Sequence, residues 1–152
     1  MTRRGFLATS AAMLGLGGAA AAESFEISRT KAEWQAMLSN LEYKVMREEA
    51  TERAYTSPLN DEKRAGTFLC KGCDLPLYAS ETKYDSGTGW PSFYEALPNA
   101  IGTKADRSLF MTRTECHRRR CGSHLGHIFD DGPQPTGKRH CINGVSLSFR
   151  PA

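Results

Sequence analysis

Cys70-Lys-Gly-Cys73 falls between two short β-type runs, residues 67–69 and 77–79, and Pro76 follows close behind. A C-x-x-C that opens a helix is a redox motif, but a proline just downstream argues against a helix there. A C-x-x-C that turns one strand into the next instead brings two thiolates to one tetrahedral metal, with each sulfur about 2.3 Å from zinc. The spacing therefore favours a zinc knuckle within a β architecture. Such a half-site needs a second pair of donors, and only the region of Cys116 and Cys121 can supply it.

The surrounding pattern agrees with strands. Further short β-type runs cover residues 108–113, 127–129 and 141–149, separated by Gly, Pro, Asn and Asp. Asn143-Gly144 reads either as a hairpin turn or as a bend within one strand. Helix is confined to the start. Thr30-Lys-Ala-Glu33 has the capping-box form and leads into Trp34, Ala36 and Met37. A second helical stretch covers residues 41–50, with Leu41, Tyr43, Val45 and Met46 as its inner face and Glu48 and Glu49 outside. The expectation is an antiparallel β domain with short N-terminal helices.

At 152 residues the chain has room for one core. Residues 1–22 stand apart from it: Arg3-Arg4 precede Phe6-Leu7 and an apolar run, and Ala20 and Ala22 form an A-x-A site before Glu23. That is the layout of a bacterial twin-arginine export signal, too short for a comfortable permanent anchor. The expected division is a signal over residues 1–22 and one domain over 23–152, delivered to the periplasm and free of the membrane after cleavage. Losing the two arginines takes the formal charge from +3 to about +1. That near-neutral balance gives no support to nucleic-acid binding, and the run His117 to Arg120 reads as a solvated turn or as local charge partners.

Five cysteines, Cys70, Cys73, Cys116, Cys121 and Cys141, are an odd number for a disulfide framework, which points to chemistry or metal. In Ser86-Gly-Thr88-Gly-Trp90-Pro91, glycines on both sides of Thr88 force a sharp turn that presents Trp90 in a constrained loop. A tryptophan so held makes a rigid apolar wall for a small alkyl group next to sulfur. If residues 139–143 are extended, Arg139, Cys141 and Asn143 share one face. The guanidinium, with Lys138 and His140 nearby, should favour the Cys141 thiolate. His124 and His127 offer donors for a developing oxyanion, with Asp131 to orient them. Together these residues point to a nucleophilic cysteine assisted by histidine acids.

The stretches CxxCxxPLYxSxxKYDSGxGWPSFYE (from Cys70) and GSHLGHIFDDGPQPTGKRHCINGVSL (from Gly122) resemble the methionine-R-sulfoxide reductase (MsrB) family over about residues 35–150. The resemblance implies two antiparallel sheets facing each other, a structural zinc, and a cysteine that attacks the sulfoxide sulfur and is left as sulfenic acid. By resemblance Cys141 is the attacking cysteine, and His124, His127 and Asn143 surround the sulfoxide oxygen and the thiol. Trp90 contacts the S-methyl group, and Asp131 and Arg139 complete the substrate site. The implied substrate is methionine sulfoxide, free or in oxidised proteins, and the implied partner an external thiol reductant such as a thioredoxin-like protein. A monomer is expected.

Two positions depart from the family. Thr88 stands where many relatives carry a resolving cysteine, so recycling requires another thiol or an external reductant. Arg118 stands where the second knuckle begins, which leaves Cys70, Cys73 and Cys121 as the matched zinc ligands. Arginine cannot donate to a cation. Cys116 could bulge in as a substitute fourth ligand, could serve as the resolving thiol, or could leave a three-cysteine site that is weakened or metal-free; the last of these is favoured for the metal. Two rival functions remain open from sequence: a non-enzymatic zinc-ribbon binding module and a periplasmic disulfide oxidoreductase.

Overall fold

A computed structural model describes residues 24–152; the export segment expected over residues 1–22 lies outside the described residues. In chain order the elements are α1 (Lys31–Met37), α2 (Asn40–Glu48), β1 (Gly66–Cys70), β2 (Pro76–Ala79), β3 (Lys83–Tyr84), β4 (Ser92–Phe93), β5 (Ile101–Asp106), β6 (Arg113–Arg118), β7 (His124–Phe129), β8 (Arg139–Ile142) and β9 (Leu147–Pro151). Both helices start as the local chemistry dictates. Thr30 and Ser39 each accept the amide three residues on, and Glu33 and Glu42 reach back to the cap amides. Trp34, Val45 and Met46 face the core, but Leu41, read as an inner position, is exposed, as is Met37. Among the described residues no helix is long and apolar enough to cross a membrane.

The strands form two antiparallel sheets, one of order β2-β1-β9 and one of order β3-β4-β8-β7-β6-β5. They pack face to face through aromatic rings: Phe93 of β4 stacks on Tyr78 of β2 at 4.2 Å and meets Phe68 of β1 edge-on at 5.0 Å. Cys70, Leu77, Cys116, Leu125, Ile142 and Leu147 fill the rest of this layer. The expected β fold with two facing sheets is therefore the observed one.

Local departures have physical causes. Residues 108–113 are not a strand; residues 107–112 form the loop between β5 and β6. β5, not anticipated, is an edge strand whose middle residues Thr103, Lys104 and Ala105 face solvent, so it lacks the apolar alternation that marks a half-buried strand. Residues 141–149 are two strands in different sheets, joined by a 3-10 turn at Gly144–Ser146. That turn is clamped by Glu52, whose buried carboxylate accepts the amides of Gly144 and, at 3.2 Å, Val145. A side chain at position 144 would meet Ser57 Oγ at 1.9 Å, so only glycine fits the crossing.

One irregularity matters for function. Between β6 and β7 the register runs Glu115↔His127, Cys116↔Gly126, then His117↔His124, which leaves Leu125 as an extra residue on β7. In a regular strand, residues three apart point to opposite faces. The bulge restores His124 to the face that His127 occupies, and the two rings come within 5.5 Å.

Candidate active site

A cavity of about 300 Å³ opens over β7 and β8, lined among others by Thr88, Trp90, Arg113, His127, Arg139, Cys141 and Asn143. Strand alternation explains most of this list. His127 pairs with Cys141 and Phe129 with Arg139, so these four side chains share the cavity face of the sheet. The intervening His140 and Ile142 point into the core instead. His140 Nδ1 lies 3.0 Å from the Tyr78 hydroxyl, and burial together with Lys138 depresses its pKa to about 4. It is a neutral core residue and contributes no charge to Cys141, contrary to the expectation from sequence.

The cavity wall opposite is the glycine loop. Gly87 and Gly89 have φ of 72° and 96°, and a side chain at Gly89 would strike Tyr55 and Ala54 within 3 Å. The turn presents Trp90, whose indole N–H donates to the Glu52 carbonyl at 3.1 Å. Asn143 is tied to the same segment: its Oδ1 accepts the Glu52 amide at 2.9 Å, and its Nδ2 donates to the Leu125 carbonyl at 2.9 Å. Glu52 thus fixes the tryptophan, the asparagine and the turn after β8 at once, a role with no local signature in the sequence.

The half-buried Cys141 thiol feels opposing influences. Desolvation raises its pKa, while Arg139 and a hydrogen bond with Thr88 lower it, and desolvation prevails. The guanidinium next to the cysteine therefore does not by itself yield a thiolate, which corrects the sequence reading. Part of the reason lies in Arg139's own commitments: it grips Asp131 through two hydrogen bonds of 2.9 and 3.1 Å and lies 4.3 Å over the Phe129 ring.

Asp131 is consequently not the orienting partner of either histidine. Two other carboxylates are. Asp106 Oδ2 accepts from His127 Nε2 at 2.8 Å, and Glu115 Oε1 accepts from His124 Nδ1 at 2.8 Å. Glu115 also receives His117 Nδ1 on its second oxygen at 2.8 Å. Burial alone would raise the Glu115 pKa, but the hydrogen bonds from His117 and His124 outweigh it and hold the carboxyl near about 2. Asp106 is also shifted down, chiefly by the Ser108 amide and then by His127. For His127 burial dominates over Asp106, and its pKa is lowered, so the ring is largely neutral at neutral pH. His124 is buried, and its Nε2 has no hydrogen-bond partner among the described residues. Sequence reasoning missed both carboxylates. The alternation of Glu115 with His117 is the one trace of them, since two buried polar residues on one strand face need each other.

The cysteine cluster sits elsewhere in the fold. Cys70 closes β1, and Cys73 follows after a turn in which the Asp74 amide donates to the Cys70 carbonyl at 2.8 Å, with no helix begun. Cys121 lies in the turn between β6 and β7, so the cluster ties the two sheets together. All three sulfurs lie within 4.8 Å of one another, and Cys70 and Cys121 are 3.7 Å apart. A tetrahedron with 2.3 Å spokes has edges of ~3.8 Å, so the spacing fits three thiolates around one metal ion. Arg118 occupies the flank. It is buried, donates to the carbonyls of Ala100 and Pro76 at 2.6 and 3.2 Å, and places its positive charge beside Cys73. It adds a positive charge where the family places a fourth thiolate.

Cys116 joins neither site. It sits on the core face of β6, paired with Gly126, and its sulfur meets the Tyr78 hydroxyl at 3.7 Å. Burial pushes its pKa up to about 12. Cys141 is on the opposite face of the same sheet, so Cys116 is in place neither as a fourth metal ligand nor as a resolving thiol.

Comparison with known proteins matches this arrangement to one family. The family model described as SelR domain matches residues 38–151. The chain is 52% identical to peptide methionine sulfoxide reductase MsrB of Thiobacillus denitrificans over 124 residues, 81% of this chain and 94% of that protein. It is 52% identical over 127 residues to the MsrB of Pseudomonas putida, covering 83% and 96%. To the chloroplastic peptide methionine sulfoxide reductase B1 of rice it is 46% identical over 128 residues, covering 84% and 60%.

The Glu115 geometry has a consequence for acid stability. Its pKa falls from an ordinary 4.5 to about 2 on folding, so the stabilisation is complete above pH ~4.5 and is lost as pH falls toward 2. Denaturant titrations from pH 6 to 2 should show this acid limb in the wild type. In Glu115→Gln, stability at pH 6 should drop by roughly 2–3 kcal/mol and the limb should flatten. An unchanged limb would show that Glu115 is not held ionised by the two imidazoles.

Proposed function

Since the chain belongs to the SelR-domain family and is a thiol-dependent methionine-R-sulfoxide reductase, we propose a division of labour in which Cys141 is the attacking sulfur and the imidazoles manage its proton. The observation that carries this assignment is the shared cavity: Cys141, His127 and Trp90 line it together, and among the described residues no other cysteine does.

The pKa directions support a particular order of events. With Cys141 shifted up and His127 shifted down, the free site holds a thiol beside a neutral imidazole at neutral pH. The reaction needs one proton on the sulfoxide oxygen, and that proton starts on Cys141. His127, opposite Cys141 in the strand register, relays it, while Asn143 lines the cavity and the buried His124 ring lies 5.5 Å from that of His127. As the cysteine sulfur attacks, the methionine sulfur–oxygen bond breaks and a cysteine S–OH bond forms. Methionine sulfur is reduced by two electrons and Cys141 is oxidised by two, to the sulfenic acid. Donors that grip the oxygen only as it gains charge lower the barrier most. Trp90 supplies the apolar wall for the S-methyl group, and the Arg139–Asp131 pair closes the rim.

Thr88, hydrogen-bonded to Ser86 at 2.8 Å, cannot form a disulfide, and Cys116 lies behind the sheet. The sulfenic acid is therefore returned by external thiols. One thiol displaces water to form a mixed disulfide with Cys141, and a second releases Cys141 as the thiol with a disulfide of the reductant. A thioredoxin-like dithiol protein suits this step, and the sulfoxide is free or carried in oxidised proteins.

Cys70, Cys73 and Cys121 would hold a structural zinc, which when bound cross-links the β1–β2 turn to the β6–β7 turn. Three thiolates and one zinc carry a single negative charge, which the Arg118 guanidinium offsets without ligating. Residues 1–22 would act as a twin-arginine signal that exports the folded domain to the periplasm, a reading supported by Arg3-Arg4 and the Ala20-x-Ala22 site.

The zinc-ribbon alternative leaves the Cys141 cavity without purpose, and the disulfide-oxidoreductase alternative lacks a helix after Cys70.

Three measurements bear on these assignments. Cys141→Ser should lose R-epimer turnover by roughly a thousandfold or more, with the S epimer untouched by either protein; a near wild-type rate would defeat the assignment. Zinc should bind at less than one ion per chain or leave readily to a chelator, and Arg118→Cys should raise both retention and melting temperature; chelator-resistant full occupancy in the wild type would contradict the three-ligand site. Expressed in a bacterium with a twin-arginine system, the mature protein should be recovered from the periplasm beginning at Glu23, and recovery of the intact N-terminus from the cytoplasm alone would refute export.

A further inference from the structure

The loop between β5 and β6 grows directly from the wall of the cavity. Asp106 and Arg113 form the last rung of that hairpin. Asp106 Oδ2 takes hydrogen bonds from both His127, at 2.8 Å, and Arg113, at 3.0 Å, and Arg113 itself lines the cavity. Between these roots lie residues 107–112, whose middle is Leu109-Phe110-Met111.

All three of these large apolar side chains are exposed, Leu109 at 74%, Met111 at 55% and Phe110 completely. Their display is enforced by the backbone. Leu109 and Phe110 have φ of 55° and 58°, in the left-handed region, and the Met111 amide closes the turn on the Ser108 carbonyl at 3.3 Å. Asn or Gly would hold such a turn at less steric cost. Two bulky residues there cost stability and solubility, and nothing in the domain is gained by their packing.

The distances suit one occupant. The tip residues Leu109 and Phe110 are each three or four positions from Asp106 and Arg113, so they lie at most ~10–14 Å from these roots. An extended polypeptide rises ~3.3 Å per residue, so side chains two or three positions from a methionine in the cavity fall ~7–10 Å away. Methionines are often buried, and helix or strand periodicity places other apolar residues two to four positions away, all of which are exposed when the chain unfolds.

We propose that Leu109, Phe110 and Met111 form an apolar shelf that docks the residues flanking a methionine sulfoxide in an unfolded polypeptide, so that sulfoxides with apolar sequence neighbours are favoured over those with polar ones. The proposal rests on the sulfoxide-reductase reading of the cavity. Its specificity follows from continuity: the cavity takes the oxidised side chain, and the shelf takes what precedes or follows it.

The test compares the wild type with Leu109→Asn/Phe110→Asn, since asparagine tolerates the left-handed backbone and the loop keeps its shape. The substrates are N-acetyl methionine-R-sulfoxide amide and two unstructured peptides carrying one methionine-R-sulfoxide, flanked by Leu and Phe in one and by Ser and Gly in the other. For the apolar peptide kcat/KM should fall about tenfold in the variant, through KM, while the capped amino acid and the polar peptide stay within about twofold. Equal kinetics of the two proteins on the apolar peptide would overturn the proposal, as would an equal loss on all three substrates. Loss of binding to vesicles of phosphatidylcholine and phosphatidylglycerol with unchanged peptide kinetics would overturn it too, by assigning the loop to a lipid surface. The reductase reading fails separately, by absence of wild-type turnover on the capped amino acid.

Discussion

His127 stands across from Cys141 because β7 and β8 pair in one antiparallel register, and the rest of the site is built out from that rung. A one-residue slip of β8 would turn Cys141 into the core and set His140 or Ile142 across from His127. The register is held from both sides. Phe93 and Ile142 are buried on the core face, and the carboxylate of Glu115, itself opposite His127 on β6, anchors the cavity face. The bulge at Leu125 then adds His124 to the group, which a regular strand would have sent the other way.

The same burial that orders the site works against its reactivity. It raises the Cys141 thiol and lowers His127, so neither group starts in its charged form. A thiol and a neutral imidazole are nevertheless suited to a reaction that moves one proton from sulfur to oxygen without net change in charge. Charge is kept where it is paired: Arg139 with Asp131 at the rim, Arg113 with Asp106 beside His127, and Glu115 between two imidazoles. Arg118 follows the same logic in the cysteine cluster, as a buried cation against three sulfurs that ionise when a metal binds.

How much of this could be read from the chain depends on the range of the interactions. The capping boxes at Thr30 and Ser39 are local chemistry, and the first was evident from residue spacing alone. The sharing of one face by Arg139, Cys141 and Asn143 follows from strand alternation over five residues. β5 was invisible because an edge strand half in water needs no apolar alternation, and residues 108–113 misled because apolar residues were displayed on a loop rather than buried in a strand. Asp131 lies close to His127 in sequence, yet its carboxylate goes to Arg139, and the carboxylate that reaches His127 comes from 21 residues upstream.

The sequence by itself determined the β architecture, the glycine loop that presents Trp90, the placing of Arg139, Cys141 and Asn143 on one face, and the three sulfurs competent for metal, because each depends on residue type and spacing within a short segment. The tertiary structure alone decided which carboxylates hold the imidazoles, that Cys116 is sealed in the core, that Glu52 clamps three parts of the site, and that burial outweighs Arg139 at Cys141. Those outcomes depend on strand register, one bulge and the depth of each group in the fold, and none of these is a property of neighbouring residues.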